Sequence, residues 1–362
     1  MKLGVIVLNF GEPASPTEES VIPFLERIFL TNAGLEERHS PEEARRRSRE
    51  LAERRAPGLI EEYKSIGGSP LNEQALAQAR AVEEELRGRG HDVTAYPAMQ
   101  FTDPLVEDAV RQARDDGMER LVGLPVYPLC GPSTTVAALD DVEEALDTLG
   151  WTNVPFRGVT GWHRHPLYLE LRADAVRHLL ERDGLELSDP GTHLLFSAHG
   201  TPMKYIREGS RYQVYVEETC RAMARALGTD DYVIGYQNHT NRGIEWTEPD
   251  VEEAVRALEG QSVVVVPVSF MHEQSETLVE LDEDLKEEAE AVGLSFHRVP
   301  VPHDDPRFAS VLADLVEPLA AHEGDGPPRA GVLEWGSCIC RPRPGTYCLN
   351  TPALEGAART SD

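Results

Sequence analysis

The segment "LLFSAHGTP" (Leu194 to Pro202) brings an apolar run to a single histidine, His199, set against Gly200 and followed closely by Pro202. An imidazole at the end of a strand is placed to act as a general base or a metal ligand. It can equally be an incidental residue on a capped strand. A second grouping follows the apolar run "VVVVPVSF": in "MHEQSETLVELDEDLKEEAE", His272, Glu276, Glu280 and Asp284 recur every four residues. That spacing predicts one face of an α-helix, with Leu278, Val279, Leu281 and Leu285 on the buried stripe opposite. Stacked carboxylates repel by roughly 0.2–0.5 kcal/mol per pair, a cost relieved when protons or cations sit among them. On spacing alone the ladder also reads as a solvated helix face. A histidine at one strand end and a carboxylate at the next, facing across a cleft, could take protons from a substrate and hand over a hard or borderline cation.

Five cysteines are present: Cys130, Cys220, Cys338, Cys340 and Cys348. In a reducing compartment, clustered cysteines read as ligands rather than disulfides. The run "CICRPRPGTYC" places Cys338, Cys340 and Cys348 in an irregular segment. A four-cysteine site then needs one more thiolate, for which Cys130 in "YPLCGPSTT" is the candidate. Zinc competes for such a site. Cys220 falls inside an amphipathic helical pattern and reads as core. His163 and His165 in "WHRHP" are expected on a surface loop, and His239 is a possible pocket residue at a strand end.

The elements that must position these groups alternate regularly. Continuous apolar runs at Leu3–Gly11, Arg120–Pro128, His193–Gly200, Asp231–Gln237 and Ser262–Phe270 read as strands buried on both faces of a parallel sheet. Charged segments of helical periodicity separate them, including Asn72–Gly90, Asp140–Gly150 and Arg211–Gly228. The pattern predicts an α/β protein of two similar Rossmann-like domains with parallel sheets. The expected division is residues 1–150, residues 151–320, and a cysteine-containing tail over 321–362. Ligands of such sheets bind beyond the carboxyl ends of the strands, which directs attention to Gly11, Tyr127, His199, Gln237 and Phe270. Ser40, Pro41 and the acidic pair Glu42–Glu43 start a helix over the arginine-rich stretch that follows, read as a solvated helix.

Composition excludes some classes of function. The 362-residue chain carries 63 acidic against 35 basic residues, a formal net charge of −28, with only four lysines. Such a field repels nucleic acid. The longest apolar run falls far short of the ~20 residues of a membrane span, and the first residues lack the pattern of a signal peptide. A cytoplasmic protein, monomer or homodimer, is expected.

Taken together, "SAHGTP", "YQN…W…P" and "PVSFMHEQSETLVELD" resemble the ferrochelatase family. "GVIVLNFGEPASPTEESVIPFLERIFL" is similar to its N-terminal strand, turn and helix, "YKSIGGSPLN" to its glycine–serine–proline loop, and "LPVYPLCGPSTT" to its segment ending in STT. His165–Pro166 has a counterpart as well, and the likeness runs over roughly residues 3 to 315. The resemblance implies insertion of Fe²⁺ into a porphyrin, protoporphyrin IX or coproporphyrin III, with His199 and Glu276 catalytic. It implies a metal path through His199, Glu276, Glu280 and Asp284, and Phe10, Ser69 and Tyr127 as substrate-binding residues. Some members hold a [2Fe–2S] cluster, which here implies Cys130, Cys338, Cys340 and Cys348. Two positions depart from the pattern: Gln274 stands where many members have histidine, and Gln100–Phe101 where many have Arg–Tyr. A cobalt or nickel chelatase for another tetrapyrrole, and a non-enzymatic haem- or iron-binding protein, are the alternative readings.

Overall fold

The computed structural model of the chain describes residues 1–35, 40–238 and 243–320. The first half contains β1 (Leu3–Asn9), α1 (Glu18–Thr31), α2 (Pro41–Ser65), α3 (Leu71–Gly88), β2 (Val93–Met99), α4 (Val106–Asp115), β3 (Arg120–Pro125), α5 (Ala137–Thr148) and β4 (Phe156–Gly158). After α6 (Pro166–Asp183) come β5 (Thr192–His199), α7 (Met203–Arg207), α8 (Tyr212–Ala226), β6 (Val233–Gln237), α9 (Val251–Arg256) and β7 (Ser262–Pro267). The chain closes with α10 (Ser275–Leu278), α11 (Lys286–Ala291), β8 (Ser295–Arg298) and α12 (Pro306–Ala320).

Two four-stranded sheets result, in the orders β2-β1-β3-β4 and β6-β5-β7-β8, and every pairing is parallel. The orders are the same once four is added to each strand of the first sheet. The expected α/β fold with two similar halves is what the chain forms. All seven residues of β1 and all six of β7 are buried, as strands covered by helices on both faces must be. Parallel strands also leave all their carboxyl ends at one edge, where loops can gather functional groups.

Two features run across the division expected at residue 150. β4 lies beyond it and pairs with β3, completing the first sheet. At the other end of the chain, α12 returns to the first half. Its Val311, Leu312, Leu315 and Leu319 share one core with Val5 and Val7 of β1 and with Val82 and Leu86 of α3. Arg120 at the start of β3 donates to the carbonyls of Leu319 (3.3 Å) and Ala320 (2.8 Å), satisfying the open C-terminus of that helix. Burial of an entire apolar helix face against the first sheet ties the halves together more firmly than a linker could.

The arginine-rich stretch is helix α2, begun by a capping box in which Ser40 and Glu43 satisfy each other's backbone N–H. Its buried stripe, Ala52, Ala56, Leu59, Ile60 and Tyr63, packs on Val21, Phe24 and Leu25 of α1. On the outer face Arg49 meets Glu26 and Glu53, and Arg55 meets Glu62.

Candidate active site

His199 is the last residue of β5 and pairs in register with Gln237, the last residue of β6. Its backbone is locked by a small ring of hydrogen bonds. The His199 N–H donates to Ser269 Oγ (2.9 Å), and Tyr212 Oη donates to the His199 carbonyl (3.0 Å) while lying 3.0 Å from Ser269 Oγ. The side chain is just as constrained. Nδ1 lies 2.6 Å from the carbonyl oxygen of Gly200, which can only accept, so Nδ1 carries the proton. That leaves Nε2 facing Glu276 Oε1 at 2.9 Å.

Gly200, the residue after His199, is not a turn glycine. Unlike Gly11, whose φ is +79°, it does not take the left-handed conformation. Room is what it supplies: a Cβ there would lie 2.8 Å from the Gln237 carbonyl oxygen and collide with the Asn238 side chain.

Glu276 enters from the other strand end. Gln274 donates to its carboxylate, and Gln237 Nε2 donates to the Glu276 carbonyl (2.9 Å) and to Glu280 Oε2 (2.8 Å). Ser197 in turn orients Gln237 (2.8 Å). The acidic ladder is not the continuous α-helix that its spacing predicts. Only Ser275–Leu278 is α-helical, and Glu280–Leu285 forms a π-helical turn in which Asp284 N–H reaches back five residues to the Val279 carbonyl (3.0 Å). One extra residue per turn breaks the four-residue alignment, and such turns recur at functional sites. His272 lies outside the helix altogether. It is buried, with Nε2 2.7 Å from Gln78 Oε1, and burial pushes its pKa down to about 3, so it is neutral.

Electrostatics separate the members of the ladder. Burial alone would lower the pKa of His199, but the charge and hydrogen bond of Glu276, the Gly200 carbonyl and the charge of Glu280 more than offset it, pushing it up to about 9. Glu280 is pushed up to about 8, first by burial and then by the charge of Glu276. Asp284 is exposed and raised more modestly, by burial and by Glu62, Glu283 and Glu287. Glu62, from α2 of the first half, acts on both Glu280 and Asp284, extending the acidic line across the halves. Among the described residues no group of three or more His, Cys, Asp or Glu side chains stands close enough to hold a metal ion. The ladder is therefore a path of separated acids around one tight pair.

The pair opens into a cleft of about 1180 Å³, counted out to its mouth. Its first-half wall is aromatic: Phe10 lies 4.6 Å from Phe101 and 6.1 Å from Phe24, centroid to centroid. Tyr127, also on the wall, donates to Gln100 Oε1 (2.9 Å), and burial holds its hydroxyl well above the usual phenol range. Gln100–Phe101 thus supplies a hydrogen-bond anchor and a stacking surface. Trp246 and Thr134 also line the cleft. Ser69 is not on that wall; its hydroxyl donates to the buried carboxylate of Glu12.

Other residues singled out by sequence fall differently. His163 and His165 are buried rather than on a surface loop, because each meets an acid. His163 Nε2 lies 2.9 Å from Glu218, which also grips Arg164, and His165 Nε2 lies 3.3 Å from Asp314 of α12. Cys130 and Cys220 are both buried in one core of the second half. His239, Cys338, Cys340 and Cys348 lie outside the described residues. Sequence reading overlooked Ser269, Tyr212, Glu62 and Glu12. Ser269 sits two residues past β7 and Glu12 three past β1, so nearness to a strand end is the local signal these two carried.

A family model described as Ferrochelatase matches residues 2–319. Curated relatives carry the same name. A protein of Synechococcus sp. (strain RCC307) is 37% identical over 336 residues, covering 90% of this chain and 84% of its own length. One of Aquifex aeolicus (strain VF5) is 33% identical over 322 residues, covering 88% and 99%.

Proposed function

The chain belongs to the ferrochelatase family, and on that premise we propose how its residues divide the work of metal insertion. The reaction is the insertion of ferrous iron into a porphyrin in haem biosynthesis, and the relatives' names favour it over cobalt or nickel insertion. Two pyrrole N–H protons must leave and the metal must lose its water shell.

In our reading, Phe10, Phe101 and Tyr127 seat the flat macrocycle, and His199 with Glu276 forms the centre that exchanges protons for metal. With Nδ1–H committed to Gly200, Nε2 and Glu276 share one proton at rest. When Glu276 takes up ferrous iron, the proton it shares with His199 leaves by way of Glu280 and Asp284 to water, and the freed Nε2 of His199 then accepts a pyrrole proton. Glu280, with its pKa raised toward neutrality, suits the next proton acceptor, and exposed Asp284 the exit to water. Ser69 acts behind the wall, through Glu12. The observation that carries the reading is the 2.9 Å contact of His199 and Glu276 at the edge of an aromatic cleft. His199→Ala should cut the rate of iron insertion by about 10²–10⁴-fold, the usual value of a general base. Porphyrin binding, followed by fluorescence quenching, should be retained. Near-normal turnover in this variant would overturn the assignment. Assaying protoporphyrin IX against coproporphyrin III with Fe²⁺ identifies the substrate.

For the cysteines, we propose that Cys130, Cys338, Cys340 and Cys348 hold a [2Fe–2S] cluster. Of the four, Cys130 is described; it is buried beside Leu129 and Tyr212 on the loop after β3, an apolar setting that suits a cluster ligand. Held there, a cluster would tie the C-terminal segment to that loop. Visible absorbance of the purified protein is the expected sign, and a colourless protein would indicate zinc or an empty site.

A further inference from the structure

Glu12 is a carboxylate only 4% exposed, on the loop that leads out of β1, and none of the chemistry above uses it directly. Each hydrogen-bond partner of its carboxylate is a donor. Tyr63 Oη of α2 donates to Oε1 (2.9 Å), the Ser69 hydroxyl to Oε2, the Ser275 hydroxyl to Oε1, and the Ser275 N–H reaches Oε2 at 3.4 Å. Its backbone is held by Asn72 at the start of α3, which accepts from the Glu12 N–H (2.9 Å) and donates to its carbonyl (2.6 Å). Two successive left-handed glycines, Gly67 (φ +75°) and Gly68 (φ +97°), turn the loop that presents Ser69. Three hydroxyls and a backbone N–H converge on two oxygens, so the bonding capacity of the carboxylate is filled.

The geometry places one of these partners beside the reactive pair. Ser275 is the first residue of α10, and Glu276 is the next. Every other partner of Glu12 belongs to the first half. We propose that Glu12 is a positioning residue: it fastens the segment carrying Glu276 to the first-half loops that also set Phe10, so that the acid and the macrocycle wall keep a fixed separation. The inference rests on the reading of Glu276 as catalytic. A displacement of about 1 Å at a reacting group can cost about 10²-fold in rate, which is why a buried strut there has catalytic weight.

Glu12→Ala should lower kcat by about tenfold while leaving the porphyrin Kd within about twofold of the wild-type value. Glu12→Gln should restore most of the loss, because the hydroxyls can rotate to accept from the new amide. Ser275→Ala cuts only the link to α10, so it should reproduce the fall in kcat. Combined with Glu12→Ala it should add nothing further, as expected for two residues of one connection. If Glu12→Ala does not fold, Ser275→Ala and Glu12→Gln still decide the matter. A merely structural role would lower the melting temperature while kcat per folded molecule stayed within about twofold of the wild type, and that result overturns the proposal. So does additivity of the two substitutions. Glu276→Gln, assayed alongside, keeps the two ideas apart: if it retains activity, the catalytic reading fails whatever Glu12 does. If it is inactive and Ser275→Ala is normal, only the strut fails.

Discussion

The two halves of this molecule share a strand order and differ in what their central strand ends present to the cleft. β1 ends in Asn9-Phe10-Gly11-Glu12-Pro13 and β5 in Ala198-His199-Gly200-Thr201-Pro202. The registers correspond: Ile6 and Leu8 of β1 pack with α4 and α5, as Leu195 of β5 packs with α9 and α11, so Phe10 occupies the place of His199. After the third strand of each sheet comes a π-helical turn, Pro132–Val136 in the first half and Glu280–Leu285 in the second. Around the first lie Ser133 and Thr134 on the cleft wall; before and within the second lie Glu276 and Glu280. One scaffold thus offers an aromatic, neutral face and an acidic, proton-exchanging face. The difference teaches that the fold supplies two equivalent strand ends, and side-chain chemistry alone distinguishes them; in the proposed reading one is the seat and the other the reaction centre.

That division is open to direct attack. The largest expected effect is the loss of iron insertion in His199→Ala, in which chemistry disappears and porphyrin binding remains. The matching substitution in the other half, Phe10→Ala, should give the opposite signature. Removing a ring that lies tilted 4.6 Å from Phe101 should weaken porphyrin binding by about tenfold, a loss of about 1.4 kcal/mol of apolar contact. Its kcat at saturating porphyrin should stay within about threefold of the wild-type value. A Phe10→Ala enzyme with normal porphyrin affinity would break the comparison. The smallest effect concerns pH. Because the pKa of His199 is raised to about 9 before iron binds, the neutral imidazole appears only as pH climbs, so kcat/KM for ferrous iron should rise between about pH 6 and 9. Glu280→Gln removes one of the negative charges that sustain the raised value, so the rising limb should move to lower pH. A limb that stays in place, or moves to higher pH, would show that Glu280 does not act on the pair.

Much of the site was legible before any coordinates. His199 and Glu276 stand at the ends of apolar strands, and the end of a buried parallel strand is a place where function collects. Tyr127 and Gln237, which bridges Glu276 and Glu280, followed from the same rule, whereas Phe10 came from the family resemblance. Ser69 was assigned to the pocket lining, and it instead holds Glu12. The four-residue spacing of the ladder pointed to the right acids and the wrong helix, because periodicity does not register an inserted π turn. The two histidines of "WHRHP" looked exposed because polar residues beside proline usually are. Their burial depends on Glu218 and Asp314, 55 and 149 residues further along the chain.

By itself, the sequence determined which residue types stand at the strand ends, the alternation that builds two parallel sheets, and the acidic surplus of the chain. These depend on local patterns of period two and 3.6 and on composition, which a linear chain carries in full. Only the tertiary structure decided that Nε2 of His199 meets Glu276, that Glu62 of the first half lengthens the acidic line of the second, and that Glu12 links both halves through Ser275. Each joins residues from 77 to 263 positions apart, Glu276 to His199 being the nearest and Ser275 to Glu12 the farthest. Contacts at such separations come from the packing of whole helices and sheets, which no local pattern records.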